Sequence, residues 1–238
     1  MTMRKFGRHF RVMASFALIV LSTFSVTPQA QQPPEVDINL VLAIDCSYSV
    51  NPQEYALQMA GMASAFSDPA IIRAIENGAH GAIGVTVVQW SHKYSQVVVV
   101  PWTRITSRHQ ARLLAAEIAR AQRQTSKGAT SISGMLVFGQ TLIRNAPFIS
   151  QRNIIDVVAD GENNSGDPVE GVRDRLNANG ITINGLAILN EETRLDHYMR
   201  KRVIGGNFAF VEQTASYEDF DRAIHRKLLR EIQGVPIS

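Results

Sequence analysis

From residue 37 the chain reads DINLVLAI, an apolar run of the length of a buried strand. At residue 45 it turns polar at once with Asp45, Cys46, Ser47, Tyr48 and Ser49. Asn51-Pro52-Gln53-Glu54 has the form of a helix start: a capping side chain, proline in the first turn and an acid three residues on. Tyr55, Met59, Met62, Ala63 and Phe66 then recur at helical spacing. Residues 81–91 and 96–103 read as two strands joined by a short polar link, an antiparallel hairpin whose second strand carries Pro101 and therefore belongs at a sheet edge. A helix over 107–122 follows with Ala111, Leu114, Ala115 and Ile118 on one face, and another has Ile132, Met135, Leu136, Leu142 and Ile143 inward. Strands are predicted at 153–160, 181–189 and 208–212. Helices are predicted from Asp167-Pro168-Val169-Glu170 to Gly180, through residues 192–203, and from near Ser216, with Phe220, Ile224 and Leu228 as the last stripe.

Strands alternating with helices imply an α/β, Rossmann-like architecture: a mostly parallel six-stranded sheet with one antiparallel edge strand and helices on both faces. Ligands on such sheets bind beyond the carboxyl ends of the strands, where strand order reverses. Strands one and four both run into aspartate there, at Asp45 and Asp160.

Asp45, Ser47 and Ser49 occupy alternate positions leaving a strand, so a bending loop can aim all three at one point. Asp160-Gly161 ends a second strand, and Gly128-Ala129-Thr130 is a third loop, ending in a hydroxyl before a helix. Two carboxylates and three hydroxyls form a hard oxygen set that suits Mg²⁺, with Mn²⁺ or Ca²⁺ as substitutes. Zinc and iron are disfavoured, because the six histidines show no paired ligand spacing. Read separately, the same residues would be a helix cap and a turn. That reading does not account for their convergence at strand ends.

"DCSYS", "GAT" and "ADG", in this order, resemble the metal-ion-dependent adhesion site of von Willebrand factor A domains. Further stretches, among them "LVLAIDCSYSV", "DPAIIRAI", "VVVVPWT" and "DGENN", resemble a bacterial secreted branch of that superfamily classed as a domain of unknown function. The resemblance spans roughly residues 36–232. It implies a Mg²⁺ on the upper rim of the sheet, with Asp45, Ser47 and Ser49 from the first loop, Thr130 from the second and Asp160 from the third. It also implies a non-enzymatic interaction module whose protein partner offers an Asp or Glu carboxylate to the metal. Ala129 stands where the family's second loop often has a second glycine.

Composition changes the picture at the amino end. Arg4, Lys5, Arg8 and Arg11 precede the short apolar stretch 12–26, and a small residue, Ala30, follows. This is the pattern of a secretory signal peptide at 1–30, too short in its apolar part to be retained as a membrane anchor. A linker at 31–36, a domain at 37–233 and a tail at 234–238 complete the expected organisation, and a periplasmic or secreted location follows. The whole chain carries 24 basic and 21 acidic residues, but the first thirty hold four of the basic ones and no acid. Without them the balance is 20 against 21, a net charge of −1, which gives no support for a nucleic-acid partner. Arg104, Arg108, Arg112, Arg120, Arg123 and Lys127 read as a solvated helix face. Cys46 is the only cysteine, so no disulfide forms within the chain and Cys46 is expected to be a small buried side chain.

The competing function is a serine hydrolase with Ser47 or Ser133 as nucleophile, but "TSISG" lacks the glycine of a nucleophile elbow. No phosphate-binding glycine loop is present. Asp156 lies on the same side of its strand as Asp160 but about 13 Å away, at about 3.3 Å per residue. It is expected to be a structural anchor needing a partner or a proton. Trp90 and Trp102 are expected to pack near the edge strand, and Asn163 and Asn164 read equally as support for the third loop or as turn residues.

Overall fold

The computed structural model describes residues 1–2, 32–125 and 128–234. The predicted signal segment thus falls, but for its first two residues, outside the described residues, as does Lys127. The chain divides into two units, Met1–Gln32 and Pro33–Ser238, and all that follows concerns the second.

Six strands form one sheet: β1 (Ile38–Asp45), β2 (Ile83–Trp90), β3 (Gln96–Ile105), β4 (Asn153–Ala159), β5 (Ile181–Ile188) and β6 (Val211–Thr214). Their order is β3-β2-β1-β4-β5-β6, with β3 antiparallel to β2 and all other neighbours parallel. Beyond β1 the chain builds the sheet outward in one direction, then returns to start β4 on the other side. The reversal of order therefore falls between β1 and β4, and Asp45 and Asp160 stand at its carboxyl end. As expected, β3 is an edge strand with an exposed Pro101.

One face of the sheet is covered by α1 (Pro52–Ser67), α2 (Pro69–Glu76), α3 (Arg108–Arg120) and α7 (Phe220–Gln233). The other is covered by α4 (Ile132–Arg144), α5 (Val169–Ala178) and α6 (Leu195–Tyr198), which runs into a π-helical turn at Met199–Val203. β1 is buried along its whole length because both of its faces meet helices. The helix stripes are as the sequence spacing predicts: α3 buries Ala111, Leu114, Ala115 and Ile118, and α7 buries Phe220, Ile224 and Leu228. The α1 start is a full capping box, with the Asn51 side chain accepting from Gln53 and Glu54 amides while Glu54 accepts from the Asn51 amide.

Three elements differ from expectation. α2 follows Asp68-Pro69, where the Asp68 carboxylate caps the Ala70 amide; its eight residues are too few for the periodicity to stand out in sequence. α5 starts at Val169 without a side-chain cap: its N-cap residue is Pro168, which has no side-chain acceptor, and the Asp167 carboxylate faces Lys93 at 3.3 Å. β6 begins at Val211 rather than at 208. Gly206 and Phe208 both take positive φ, of 95° and 56°, and a strand cannot run through them.

Asp156 has its partner on α7. Lys227 Nζ lies 2.6 Å from Asp156 Oδ1 and 2.5 Å from Glu231 Oε1, and all three side chains are buried. Burial and then Glu231 raise the Asp156 carboxyl. Burial opposes the Lys227 charge, but Asp156 and Glu231 outweigh it and hold the ammonium above its ordinary range. Trp90 is fully buried, and Trp102 meets Phe148 edge-on at 6.3 Å between centroids. Cys46 is buried, its thiol pushed up to about 12 by burial.

Removing the cation of this triad leaves two carboxylates buried without compensation. Lys227→Met should cost about 3–5 kcal/mol in chemical denaturation, the usual cost of breaking a buried ion pair. A loss within the scatter of surface substitutions would show that the triad is not held as an ion cluster.

Candidate metal centre

β1 delivers Asp45 to the rim as its last residue, and the turn that follows folds back at once. The Ser47 amide donates to Asp45 Oδ1 at 2.7 Å, so the first loop is closed on its own acid. Ser47 Oγ and Ser49 Oγ are 3.0 Å apart, and Ser49 Oγ donates to Asp160 Oδ1 at 2.8 Å, across the β1–β4 seam. The hydroxyl chain thus links the two strand ends. Thr130 sits beside the start of the third loop: a side-chain carbon on Gly161 would lie 3.6 Å from its Oγ1, and the Asn164 amide donates to the Thr130 carbonyl at 2.9 Å. Asp45, Ser47, Thr130 and Asp160 are buried, and Ser49 is partly exposed.

Several residues outside the expected set hold it in place. The Tyr217 hydroxyl donates to Asp160 Oδ2 at 2.9 Å, so both Asp160 oxygens are engaged. Burial, followed by the charges of Asp160 and Asp45, raises that phenol, which keeps it a donor. Arg123 stands beyond the end of α3 and is no part of a solvated helix face. Its guanidinium donates to the carbonyls of Val50 at 2.7 Å, Ser47 at 3.0 Å and Cys46, all in the first loop. Asn164 Oδ1 accepts from the Thr130 amide at 2.9 Å and Asn163 Oδ1 from the Ser133 amide at 3.0 Å, which decides their role: they tie the third loop to the second and to the first turn of α4. The second loop also needs Gly128, since any side chain there would strike the His92 ring. Ser133 is buried with its Oγ 3.5 Å from the Ser165 carbonyl, and Ser47 Oγ is taken up by Ser49.

The electrostatics of the site are unbalanced. Asp45 Oδ2 is buried and has no hydrogen-bond partner, although it belongs to a side chain only 1% exposed. Burial first, and then the charge of Asp160, push the Asp45 carboxyl up to about 8. The Ser47 amide and Arg123 pull the other way and do not prevail. An orphaned carboxylate oxygen, a second carboxylate and the Ser47 and Ser49 hydroxyls meet at the reversal point with Thr130 alongside, a donor set whose chemistry fits a hard divalent cation. Among the described residues no three His, Cys, Asp or Glu side chains gather as a metal cage, so any ion here depends on hydroxyl oxygens as much as on acids.

A raised carboxyl has a definite sign in stability. Metal-free folded protein holds the Asp45 proton up to about pH 8, whereas the unfolded chain releases it near pH 3.8. The contribution of Asp45 is therefore fully favourable below that lower value and is lost as pH rises toward the upper one. Asp45→Asn should erase this component. In chelator, its stability advantage over the native chain should grow from pH 4 to pH 8 in urea titrations, the window set by the two values above. An advantage independent of pH would contradict the assignment.

Solved structures with the same architecture are numerous. Proximal thread matrix protein 1 of the mussel byssus, in a structure with a zinc-occupied MIDAS motif, superposes with a TM-score of 0.57 at 16% identity over 85% of this chain and 50% of its own. A von Willebrand factor type A protein from Catenulispora acidiphila gives 0.56 at 15% identity over 83% and 43%. The vWF domain of the type V pili tip protein Mfa5 from Porphyromonas gingivalis gives 0.57 at 10% identity over 86% and 98%. The chain spans half or less of the length of the first structures it matches. At these identities the likeness is one of fold. No curated protein matches the chain in sequence. The family described as "Protein of unknown function (DUF1194)" matches residues 35–236, and the chain belongs to it, with the fold of a von Willebrand factor A domain.

Proposed function

We propose that this chain is an exported, metal-dependent protein-interaction module. Asp45, Ser47, Ser49, Thr130 and Asp160 hold a Mg²⁺ ion, and a protein partner completes the coordination with an Asp or Glu carboxylate. The observation that carries the reading is the buried, unpartnered Asp45 Oδ2 beside a second buried carboxylate. A fold that needed these acids only for structure would have set a cation in ion-pair contact with them, as Lys227 stands 2.6 Å from Asp156. The zinc-occupied MIDAS motif of the mussel protein and the pilus-tip role of Mfa5 are consistent with a divalent ion and an extracellular interaction. The basic-then-apolar segment at residues 1–30 supports export. Among the described residues no helix is long and apolar enough to cross a membrane.

When bound, the ion supplies charge compensation for the two aspartates and an exchangeable position for an external anion. The chain's own residues do the remainder. Ser49 and Tyr217 hold both oxygens of Asp160, and Arg123 fixes the carbonyls of the first loop from beneath. Specificity beyond the one carboxylate falls to the surrounding loops, where Tyr48 and Tyr94 are 70% and 83% exposed.

The test is calorimetric. At pH 7 metal-free Asp45, with its carboxyl raised to about 8, is mostly protonated, so Mg²⁺ binding should release close to one proton. Titrations in two buffers of different ionisation enthalpy measure this directly. Asp45→Ala should abolish both heat and proton release while leaving the circular dichroism spectrum intact, because the carboxylate points at the rim. Undiminished Mg²⁺ affinity in that variant would overturn the site. For the partner, capture from cell-envelope extract should require Mg²⁺ and fail with chelator and with Asp45→Ala. Equal capture under all these conditions would place the recognition surface elsewhere.

A further inference from the structure

At the opposite rim of the sheet, where β4 and β5 begin, α7 ends against a cavity of about 380 Å³. That volume is in the range of small-molecule sites. Its surroundings carry more positive than negative charge. Arg152, Arg230 and Glu231 line it; behind them Lys227 is paired with Asp156 and Glu231, and Arg230 feels the charges of Glu212 and Glu231, Glu212 being held also by Arg226 at 2.8 Å. Two of the three cations are committed. Lys227 is held between Asp156 and Glu231, and Arg152 donates to the terminal carbonyls of α7, Glu231 at 2.5 Å and Ile232 at 3.4 Å. Arg230 is different. Its guanidinium carbon lies 3.7 Å from the centroid of the Phe210 ring, and among the described residues it makes no hydrogen bond or ion pair that would occupy its N–H groups. A guanidinium stacked on an aromatic face keeps its planar fork available for an oxyanion.

The mouth of the cavity holds a second anomaly. Phe208 lines it, is 72% exposed, and is the only non-glycine among the described residues with a positive φ, 56°. A bulky residue in the left-handed region is a genuine outlier, and such strain concentrates at ligand clamps. Nothing in the fold requires an aromatic side chain there, since glycine would relieve the backbone and leave no buried void. The wall behind is fixed. The Phe210 amide donates to Asn184 Oδ1 at 3.1 Å, and Asn184 Nδ2 donates to Glu231 Oε1 at 2.7 Å, so the aromatic wall is anchored to the buried triad.

We infer that this cavity binds a small organic carboxylate with a flat apolar body, its carboxylate on Arg230 and its body against the exposed ring of Phe208, since the buried Phe210 ring already carries Arg230 at 3.7 Å and Lys227 at 5.0 Å. The site is separate from the metal centre and does not depend on it.

Benzoate is the probe, with acetate, inorganic phosphate and benzyl alcohol as comparisons, titrated into the full chain and followed by the amide resonances of Gly180, Asn207 and Gly234. Benzoate should give saturable shifts at these three positions, and each comparison compound should bind more weakly. Arg230→Gln should lower benzoate affinity by roughly ten-fold or more, the effect of losing a charge-assisted hydrogen bond. Phe208→Gly should also lower it, while thermal stability is held or raised, which separates a lost contact from a damaged fold. Phosphate binding as tightly as benzoate would reduce the site to a bare anion hole and overturn the inference. No saturable shift, or affinity unchanged in Arg230→Gln or in Phe208→Gly, would overturn it as well.

Discussion

Two carboxylates, delivered by adjacent central strands to one buried spot, set the terms for the upper half of this molecule. The sheet order forces the encounter: β1 and β4 are neighbours, parallel, and both reach the rim in aspartate. Burial penalises the Asp45 charge, and the charge of Asp160 adds to that penalty. The rest of the rim is arranged around that conflict. Serine hydroxyls bridge the seam, a tyrosine from the segment leading into α7 holds the far oxygen of Asp160, and an arginine pins the loop carbonyls. These contacts fix the geometry of the acids without neutralising them. A divalent cation would.

The contrast with the lower half of the sheet is instructive. Asp156 is as buried as Asp45 and lies on a neighbouring strand, yet its charge is matched inside the chain by Lys227. The same fold therefore shows a carboxylate kept for structure and a carboxylate left open. Asp45 has a buried oxygen with no hydrogen-bond donor and, unlike Asp156, no cation in ion-pair contact among the described residues, at the point where parallel sheets bind ligands. That difference, more than the presence of acids as such, separates an anchor from a site.

Much of this was legible in the sequence because it rests on short-range rules. The alternation of apolar runs and helical stripes located five of six strands and the faces of α3 and α7, and Pro101 marked the edge. The first loop announced itself through D-x-S-x-S, since alternate residues leaving a strand stay within one turn of each other. What escaped were contacts between segments far apart in the chain. Tyr217 reaches Asp160 across 57 residues, and Arg123 reaches the Val50 carbonyl across 73. In sequence Tyr217 is one aromatic before a helix and Arg123 one more base in a basic stretch. Lys227 was hidden in the same way, one of two charges, with Glu231, inside the buried stripe of α7. β6 was displaced by a glycine and a phenylalanine in left-handed conformation, and a phenylalanine there gives no warning in composition. Asn163 and Asn164 could not be decided from turn chemistry alone, because the backbone amides that donate to them, those of Ser133 and Thr130, lie about thirty residues away in the chain.

On this reading the proton that metal-free Asp45 carries is displaced by an ion, and the orphaned oxygen is a metal ligand and not a purely structural group. A crystal soaked in Mn²⁺ and measured at an anomalous wavelength tests it most directly, since the map locates the ion without assumptions about affinity or partner. One dominant peak is expected at the β1–β4 rim, within coordination distance of oxygens from Asp45 or Asp160 and from the Ser47, Ser49 or Thr130 hydroxyls. A map with no peak at that rim, or with Asp45 Oδ2 bonded to a buried water while Mn²⁺ sits on surface acids elsewhere, would contradict it.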